Sequence, residues 1–482
     1  MPKRISVQGL ISVFALVSVM FNVGITSASD NPTQSQAVNA QVWITTGDQK
    51  QLLQPQAPIA FAADSGSNAV TIDVDESNKF QTMDGFGAAL TDSAAWLIWT
   101  RLLVGQREEL MHKLFDSKTG IGLRLLRHAI GTSDLSLSNY TYDDLPTGQT
   151  DPQLTRFSIG HDLDYILPLL NEARSLNSSL QVIGTPWSPP AWMKTSGSLI
   201  GGSLRPDAYE TYARYLVRYL QDYSAQGVSI VGITPQNEPL FTPAGSPGAL
   251  MSVAEETDFI KQYLGPELAR AGLDTHIIIY DHNWDHPEYP LAVMSDPGAR
   301  PFVTGTGFHC YAGGFDAQTP VHDRFPDKGI WVTECSGTVG SEFATDLRWL
   351  MHNLFIGAVR TWAKGVLLWN LALDNLSGPQ NGGCVACRGV VTIDPLTGAT
   401  TYNVEYYALG QASVAVDPGA QRVASNTFDG GIETVAFLNP DGSKALLVLN
   451  DGNTETLFKV RWAGLAFSYS LPAGAAGTFK WP

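Results

Sequence analysis

The segment Ile230-Val-Gly-Ile-Thr-Pro-Gln-Asn-Glu-Pro239 begins as a short apolar run and ends in polar residues. The segment Ile330-Trp-Val-Thr-Glu-Cys335, further along the chain, repeats that pattern. Each predicts a buried strand with a glutamate, Glu238 or Glu334, close to its end. A buried carboxylate costs free energy unless it has a partner, so the placement of these two glutamates requires an explanation.

Similar apolar runs recur through residues 80–410. They predict eight strands: Asp84–Thr91, Gly122–Ile130, Gln181–Pro186, Ile230–Pro235, His276–Tyr280, Gly305–His309, Ile330–Thr333 and Gly365–Trp369. Amphipathic segments between these runs predict helices, among them Asp207–Ser224, Val253–Ala271 and Ala344–Ala363. Eight strands that alternate with helices predict an α/β fold in which a parallel sheet closes into a (β/α)₈ TIM barrel.

The chain on either side of this region has a different pattern. Residues 411–482 contain turn sequences such as Asn439-Pro-Asp-Gly442. Between the turns lie short strand-like runs: Ser413–Val416, Glu433–Leu438, Ala445–Leu449 and Leu457–Trp462. Residues 30–79 contain similar runs near Val42 and Val70. We therefore predict an accessory all-β sandwich domain, formed by residues 411–482 together with strands from residues 30–79.

The first 29 residues have the features of a signal peptide. Lys3 and Arg4 precede an uncharged, mostly apolar run, and Ser27-Ala28-Ser29 offers small residues for cleavage. An N-terminal membrane anchor is the alternative, although the run is short for a bilayer span. We expect a secreted or periplasmic protein with no stable membrane insertion after the signal is removed.

The composition suits a folded protein with an uncharged substrate. Apolar residues make up 44% of the chain, charged residues 16%, and the formal net charge is −16. Nucleic-acid binding rests on concentrated Lys and Arg, so this acidic balance argues against a nucleic-acid partner. The sequence has no Gly-rich phosphate-binding motif and no G-x-S-x-G motif, and we expect no cofactor.

The chain has four cysteines. Cys384 and Cys387 form a C-x-x-C in a Gly-rich loop, which favours a small disulfide in an exported chain. Cys310 and Cys335 end apolar strands, and we expect both to be buried free thiols.

Two histidines, His282 and His286, have the H-x-x-x-H spacing that would suit a metal ion on a helix. Pro287 and the neighbouring turn residues indicate a loop instead. The sequence therefore predicts no metal site in this segment.

Glu238 and Glu334 together predict a function that neither glutamate predicts alone. Catalytic groups of a (β/α)₈ barrel come from the C-terminal ends of its strands, so Glu238 and Glu334 should lie on the same face. Glycosidic cleavage needs one carboxylic acid to protonate the leaving oxygen and a second carboxylate across the anomeric carbon. A retaining enzyme holds these carboxyls roughly 5 Å apart. The pair predicts glycoside hydrolysis, whereas either glutamate alone could equally be a salt-bridged structural acid.

Four motifs, in this order and spacing, resemble glycoside hydrolase family 30: Met83-Asp-Gly-Phe-Gly-Ala-Ala-Leu-Thr-Asp92, Thr185-Pro-Trp-Ser-Pro-Pro-Ala-Trp-Met-Lys194, Thr234-Pro-Gln-Asn-Glu-Pro239 and Leu368-Trp-Asn-Leu-Ala-Leu373. The resemblance extends from about Val42 to the C-terminus. It implies a retaining β-glycoside hydrolase, in a family that includes acid glucosylceramidases and endo-β-1,6-glucanases.

The resemblance also implies a role for each site residue. Glu238 is the expected acid/base and Glu334 the expected nucleophile. The residues expected to contact the sugar or the nucleophile are Asn237 at the 2-hydroxyl, Arg127, Asp134 and Asp92 near the nucleophile and the sugar hydroxyls, Trp187 and Trp369 as apolar walls, and His309 and Tyr311 in the same pocket. From the residues alone, the tryptophans could be core aromatics and His309 a core histidine.

The substrate is less narrowly defined by the sequence. The resemblance implies a β-linked glucan or a glucosylated lipid, and the loop Gly378–Gly389 is more similar to the β-1,6-glucanases than to the glucosylceramidases. A xylan-directed enzyme is a third option. A non-catalytic carbohydrate-binding protein is the alternative from a different class, and the presence of both glutamates argues against it.

Overall fold

The computed structural model describes residues 38–482. The predicted signal peptide, residues 1–29, lies outside the described residues. Within residues 38–482, no helix combines the length and the apolar character that crossing a membrane requires.

Eight parallel strands close into a barrel, each pairing with the next along the chain and the eighth with the first. The first to eighth barrel strands are Gly85–Leu90, Leu125–Ala129, Gln181–Thr185, Ile230–Ile233, His276–Asn283, Val303–His309, Gly329–Glu334 and Ala363–Leu368. Five apolar side chains form a separate cluster in the barrel interior: Leu125, Ile183, Ile278, Trp331 and Leu367. The predicted TIM barrel is confirmed.

Helices surround the barrel. The α-helices are Asp92–Trp96, Val104–Phe115, Ile166–Leu176, Tyr209–Ala225, Val253–Phe259, Gly265–Ala271, Glu288–Ser295, Gln318–Arg324 and Phe343–Leu350. Short 3₁₀ helices span Gly160–Leu163, Ala191–Met193, Pro206–Ala208 and Phe315–Ala317, and π-helical turns span Leu97–Arg101, Ile260–Leu264 and Met351–Ala358. The predicted helix Val253–Ala271 is present with a π-helical turn in its middle. The predicted helix Ala344–Ala363 was extended too far at its C-terminal end, because Ala363 is the first residue of the eighth strand.

Eleven strands form the second sheet, which comes from both ends of the described chain. They are Asn39–Thr45, Gln54–Pro55, Ile59–Ala60, Ala62–Ala63, Thr71–Thr82, Gln421–Ser425, Ile432–Leu438, Lys444–Asn450, Thr456–Trp462, Leu465–Leu471 and Ala476–Trp481. Asn39–Thr45 pairs with Ala476–Trp481, and Thr71–Thr82 lies between Gln421–Ser425 and Thr456–Trp462. Strands from residues 39–82 and strands from residues 421–481 therefore lie in one sheet.

The inner faces of these strands enclose a single apolar core, which makes the sheet a sandwich. Val42, Ile72, Leu446, Phe458 and Phe479 are all buried in this core. The central strands Ile432–Leu438 and Lys444–Asn450 are buried along almost their whole length, because their other face, which includes Val435, Phe437 and Leu447, belongs to the large core cluster of the barrel. The last two strands, Leu465–Leu471 and Ala476–Trp481, were not among the predicted ones.

One buried helix, Val404–Ser413, joins the barrel to the sandwich. It packs against the first barrel strand and against two sandwich strands, Asn39–Thr45 and Ala476–Trp481. The predicted strand Ser413–Val416 is wrong, because the helix continues to Ser413 and the chain then turns. A short apolar run does not distinguish a strand from a helix buried on all sides.

Short strands over the open end of the barrel complete the fold. Gly337–Thr338 pairs with Cys387–Arg388, so the loops that follow the seventh and eighth barrel strands are joined. Ala372–Asp374, Val391–Ile393 and Thr400–Tyr402 form a separate three-stranded sheet.

Candidate active site

Glu238 and Glu334 meet at the C-terminal end of the barrel. Glu334 is the last residue of the seventh strand, and Glu238 follows the fourth strand. A carboxylate oxygen of each, together with a ring nitrogen of His309, lies within 4.8 Å of the others. This separation fits a retaining glycosidase, because an inverting enzyme needs roughly 6.5–9.5 Å to admit a water molecule.

Arg127, on the second barrel strand, connects the polar groups at this end of the barrel. Its Nη1 donates to Glu334 Oε2 at 2.6 Å, and its Nη2 donates to Asn237 Oδ1 at 2.6 Å and to Asp281 Oδ2 at 2.9 Å. Its Nε donates to Thr185 Oγ1. Arg127 is fully buried, so the planar guanidinium holds Glu334 in one orientation and compensates its charge.

Glu334 has a second donor on its other oxygen. The Tyr311 hydroxyl donates to Glu334 Oε1 at 2.9 Å. Burial raises the pKa of Glu334, while His309 and Arg127 act in the opposite direction by favouring the carboxylate. Two donors on a carboxylate next to the predicted sugar pocket suit a nucleophile that must be held ionised and aimed.

His309 links the acid/base candidate to a second buried acid. Its Nδ1 lies 3.0 Å from Glu238 Oε1, and its Nε2 lies 3.1 Å from Asp281 Oδ1. Burial alone would lower the pKa of His309, but the surrounding carboxylates, first of all Glu334, raise it to about 9. A protonated His309 can donate to both acids at once, which places a proton directly on the Glu238 contact.

Asp281 was not predicted as a site residue, although it follows the apolar run Ile277–Tyr280 as the two glutamates follow theirs. A bulge between Tyr280 and His282 interrupts the pairing of the fifth and sixth strands at this point. Tyr280 and Asp281 both have left-handed backbone conformations, with φ of 70° and 52°. The bulge turns the Asp281 carboxylate towards Arg127 and His309, and because no sequence pattern announces a bulge the residue was missed.

Glu238 itself has a strained backbone. Its φ is 45°, and its amide donates to the Asp281 carbonyl at 3.1 Å. A left-handed conformation at a residue other than glycine costs on the order of 1–3 kcal/mol and persists only where the surroundings fix it. The bulge in the fifth strand and the turn after the fourth strand therefore position Glu238 together.

Two tryptophans form an apolar wall beside the glutamates. Trp187 and Trp369 are stacked with ring centroids 4.8 Å apart, and the guanidinium carbon of Arg127 lies 4.8 Å from the Trp187 centroid. Trp187 also lines a cavity of about 220 Å³ together with Asn237, Glu238 and Glu334. A sugar that enters this cavity meets an aromatic wall and two carboxyls, which is the composition of a glycoside-binding pocket.

Asp134 borders the same cavity. Burial, Glu334 and Glu238 together raise the pKa of its carboxyl to about 7. Its Oδ1 is buried and has no hydrogen-bond partner within residues 38–482. A buried oxygen without a partner at the edge of a cavity is a ready acceptor for a ligand hydroxyl.

Asp92 does not share this environment. It begins the helix Asp92–Trp96, and one carboxylate oxygen accepts from the Leu137 amide while the other contacts His161 and the Tyr165 hydroxyl. These partners occupy both oxygens, and Asp92 is not among the residues that line the cavity. The structure brings together all the predicted site residues except Asp92, for which the predicted sugar contact finds no support in the geometry.

Lys194 holds the walls of the cavity in place and was missed as a functional residue, although it ends one of the four motifs. Its ammonium donates to Ser188 Oγ and to the carbonyls of Leu199 and Gly248, at 2.7–2.9 Å. Gly248 lines the cavity and Ser188 follows Trp187. Burial lowers the pKa of Lys194 to about 7.

The distances alone would allow Glu238, His309 and Glu334 to hold a metal ion. In this structure, however, Glu334 accepts from Arg127 and Tyr311, and the two ring nitrogens of His309 contact Glu238 and Asp281. The geometry therefore favours an acid–base centre. His282 lies in the fifth strand and not in the loop that was predicted to follow it. The pKa of His282 is lowered to about 4, chiefly because the side chain is buried.

Two disulfides flank the site. Cys384–Cys387 closes the Gly-rich loop after the eighth strand. Cys310 and Cys335 are also joined, so the expectation of free thiols is wrong. These two cysteines follow His309 and Glu334 at the ends of neighbouring parallel strands, which the sequence spacing did not reveal. The Cys310–Cys335 bond therefore ties together the two strand ends that carry site residues.

A double variant, Cys310→Ser with Cys335→Ser, should lower both stability and activity. The bond closes a loop with a separation of 25 residues, so its loss should cost on the order of 3 kcal/mol of unfolding free energy. The control is Cys384→Ser with Cys387→Ser, whose separation of 3 residues predicts a smaller loss of about 2 kcal/mol. Urea denaturation gives both values, and equal losses would contradict the loop-length argument.

The raised pKa of His309 predicts a pH-dependent stability. A group whose pKa is raised from 6.5 to about 9 on folding stabilises the fold fully below pH 6.5, and this contribution is lost as the pH rises through 9. The native chain and a His309→Gln variant differ in unfolding free energy. We expect this difference to shrink by on the order of 3 kcal/mol between pH 6 and pH 10. A constant difference across that range, measured by urea denaturation, would show that His309 is not protonated in the folded chain.

Comparison with known proteins agrees with this geometry. Residues 83–413 match the sequence profile of the glycosyl hydrolase family 30 TIM-barrel domain, and residues 419–479 match that of the glycosyl hydrolase family 30 beta sandwich domain. The chain is 35% identical to Endo-1,6-beta-D-glucanase neg1 of Aspergillus fumigatus, over 94% of this chain and 98% of the relative. It is 30% identical to the Lysosomal acid glucosylceramidase of Mus musculus, over 88% and 85% of the two chains.

A solved structure, the endo-beta1,6-glucanase BT3312, superposes with a TM-score of 0.86 at 32% identity, over 92% of this chain and 99% of that one. Both domains of the described chain therefore have counterparts in one family, and the paired glutamates lie at the C-terminal end of the barrel, where TIM-barrel enzymes have their active sites. The chain belongs to glycoside hydrolase family 30 and is an O-glycosyl hydrolase.

Proposed function

We propose that the chain is a secreted, retaining endo-β-1,6-glucanase that works by double displacement. The proposal rests on the contacts of the two glutamates. One carboxylate oxygen of Glu238 and one of Glu334 lie within 4.8 Å of each other. Glu334 accepts from Arg127 and Tyr311, as a nucleophile should. Burial alone would raise the pKa of Glu238, but its contact with His309 lowers that pKa and so favours the basic form that takes a proton from water in the second step.

In the first step, an oxygen of Glu334 attacks the anomeric carbon and the glycosidic bond breaks. Glu238 gives a proton to the leaving oxygen, and the contact with His309 offers a route by which that proton is replaced. As the Glu334 charge is consumed by the new ester bond, Arg127 remains paired with Asp281. Arg127 therefore stays compensated throughout the step.

In the second step, Glu238 takes a proton from a water molecule, whose oxygen attacks the same anomeric carbon. The ester bond to Glu334 breaks, and the sugar leaves with its original β configuration. Arg127 and Tyr311 stabilise the returning carboxylate, because each donates to a different oxygen of Glu334.

Similarity supports β-1,6-glucan as the substrate. Two endo-1,6-beta-D-glucanases, from Aspergillus fumigatus and Neurospora crassa, are 35% and 36% identical to this chain and align over more than nine-tenths of it. The glucosylceramidase of Mus musculus, at 30% identity, keeps glucosylceramide as a second candidate. Two disulfides support export, because such bonds persist in oxidising compartments.

In the test, the purified native chain is incubated with β-1,6-glucan in one reaction and with glucosylceramide and detergent in another. Short gluco-oligosaccharides released first as the β anomer, detected by proton NMR, would establish the proposed activity. Glucose and ceramide from the lipid alone would transfer the assignment to a glucosylceramidase. Sugar binding without any product would favour a non-catalytic carbohydrate-binding protein and refute the proposal.

A further inference from the structure

A second cavity, of about 280 Å³, lies beside Tyr311 and Cys310. Tyr311 lines this cavity with its ring, while its hydroxyl reaches Glu334 at 2.9 Å. The second cavity and the catalytic pair therefore share one side chain as a boundary. We call this second cavity the Trp349 groove, after the tryptophan that lines it.

Trp349 is 40% exposed, although a tryptophan is usually covered by other residues in a folded chain. It lies on the helix Phe343–Leu350, and Tyr311, which also lines the cavity, is 46% exposed. Two exposed aromatic rings facing one cavity provide apolar surfaces on which the C–H face of a sugar packs.

Other residues that line the Trp349 groove are polar, and ion pairs and hydrogen bonds hold them in place. Arg388 lines it and forms ion pairs with Asp346 and Glu405, so the cation is already neutralised. Ser341 donates to Asp346, and a side chain at Gly337 would collide with Glu405. Hydroxyls and compensated charges suit an uncharged polyhydroxylated ligand better than an ionic one.

Asp134, Gly382 and Gly383 line the catalytic cavity where two loops approach each other closely. Asn381 donates its amide to the Asp134 carbonyl at 2.8 Å, and a Cβ at Gly383 would lie 2.3 Å from the Asp134 Cβ. A Cβ at Gly382 would likewise lie 2.0 Å from the Gly245 carbonyl oxygen. These loops therefore form a tightly packed wall of the catalytic cavity.

We propose that the Trp349 groove is a further sugar subsite, which holds a glucosyl unit of the same glucan chain beyond the unit at the catalytic pair. Trp349 stacks against this unit, and Tyr311 separates the two subsites. The subsite rests on the proposed glucanase function and explains how such an enzyme distinguishes a polymer from a short glucoside.

The test measures kcat/KM for an aryl β-glucoside and for β-1,6-gluco-oligosaccharides of increasing length. Trp349→Ala should lose about tenfold on the longest oligosaccharides and less than about twofold on the aryl glucoside. Trp349→Phe, which keeps a ring, should retain most of the activity on long chains. Leu396→Ala, at a residue that is 94% exposed and outside both cavities, should behave as the native chain does at every length.

An equal loss at every length, or no loss at any, would overturn the subsite while leaving the glucanase function in place. Failure of the native chain to cleave β-1,6-glucan would overturn both. The same comparison by calorimetry, with Trp349→Ala introduced into a Glu334→Gln background, should weaken the binding of long oligosaccharides about tenfold. Thermal unfolding of each variant shows whether the chain is folded.

Discussion

Glu334→Gln reduces kcat by more than about 10⁴-fold and leaves the fold intact. An amide has the size of a carboxylate, so Arg127 and Tyr311 keep a partner at the same position. It cannot form the glycosyl ester, because its oxygen is a poor nucleophile. The measurement is the rate of reducing-sugar release from β-1,6-glucan together with the thermal unfolding midpoint. Residual activity above about one-hundredth of the native rate would remove Glu334 from the role of nucleophile.

The two glutamates can be told apart by adding azide to alanine variants. In Glu334→Ala, azide occupies the vacated position and attacks once with an activated aryl β-glucoside, so the product should be an α-glucosyl azide. In Glu238→Ala, the ester on Glu334 still forms, and azide then displaces it to give a β-glucosyl azide. The opposite pair of products would exchange the two roles, and proton NMR distinguishes the anomers.

The barrel was predictable because most of its strands contain a short, mainly apolar run that is followed by polar residues. Such a run is required wherever helices cover a parallel sheet, so the pattern survives in the sequence. The helix Val404–Ser413 was not predicted, because nearly all of its residues are buried and it has no exposed polar face that would give an amphipathic pattern. Where burial is uniform, periodicity carries no information.

The site was predictable where a residue lies at a strand end, and less so where the backbone departs from regular geometry. Glu238 comes after the fourth strand and Glu334 ends the seventh, each close behind an apolar run, and both lie in the site. Asp281 does so as well, but its direction depends on a bulge and on a left-handed φ of 52°. Asp92 and Asp134 each follow a barrel strand closely, and only the contacts of the folded chain show that Asp134 alone borders the cavity.

The charged side chains of the site are connected to one another by ion pairs. Arg127 and His309 face the carboxylates of Glu238, Glu334 and Asp281, all within a region that excludes most solvent. The pKa of Asp281 is lowered well below its usual range, because Arg127 and His309 overcome the effect of burial. Asp281 therefore stays ionised and supports the positive charge of both partners, which in turn act on the two glutamates.

Arg127→Met should destabilise the fold by about 3–5 kcal/mol and abolish detectable hydrolysis. Methionine fills a similar volume without a charge, so the change leaves the buried acids Asp281 and Glu334 without their shared cation. The exposed arginine Arg461 is the matched control, since it also pairs with two carboxylates but is 46% exposed. Arg461→Met should cost no more than about 1 kcal/mol.

A double variant separates loss of charge compensation from loss of packing. If Arg127→Met acts by leaving Asp281 uncompensated, then adding Asp281→Asn should restore part of the lost stability, because the second change removes the unpaired charge. If it acts by disturbing the packing against Trp187, the two losses should add. Urea denaturation of the native chain, both single variants and the double variant decides between these results, and an Arg127→Met chain as stable as the native one would contradict the central place of this arginine in the site.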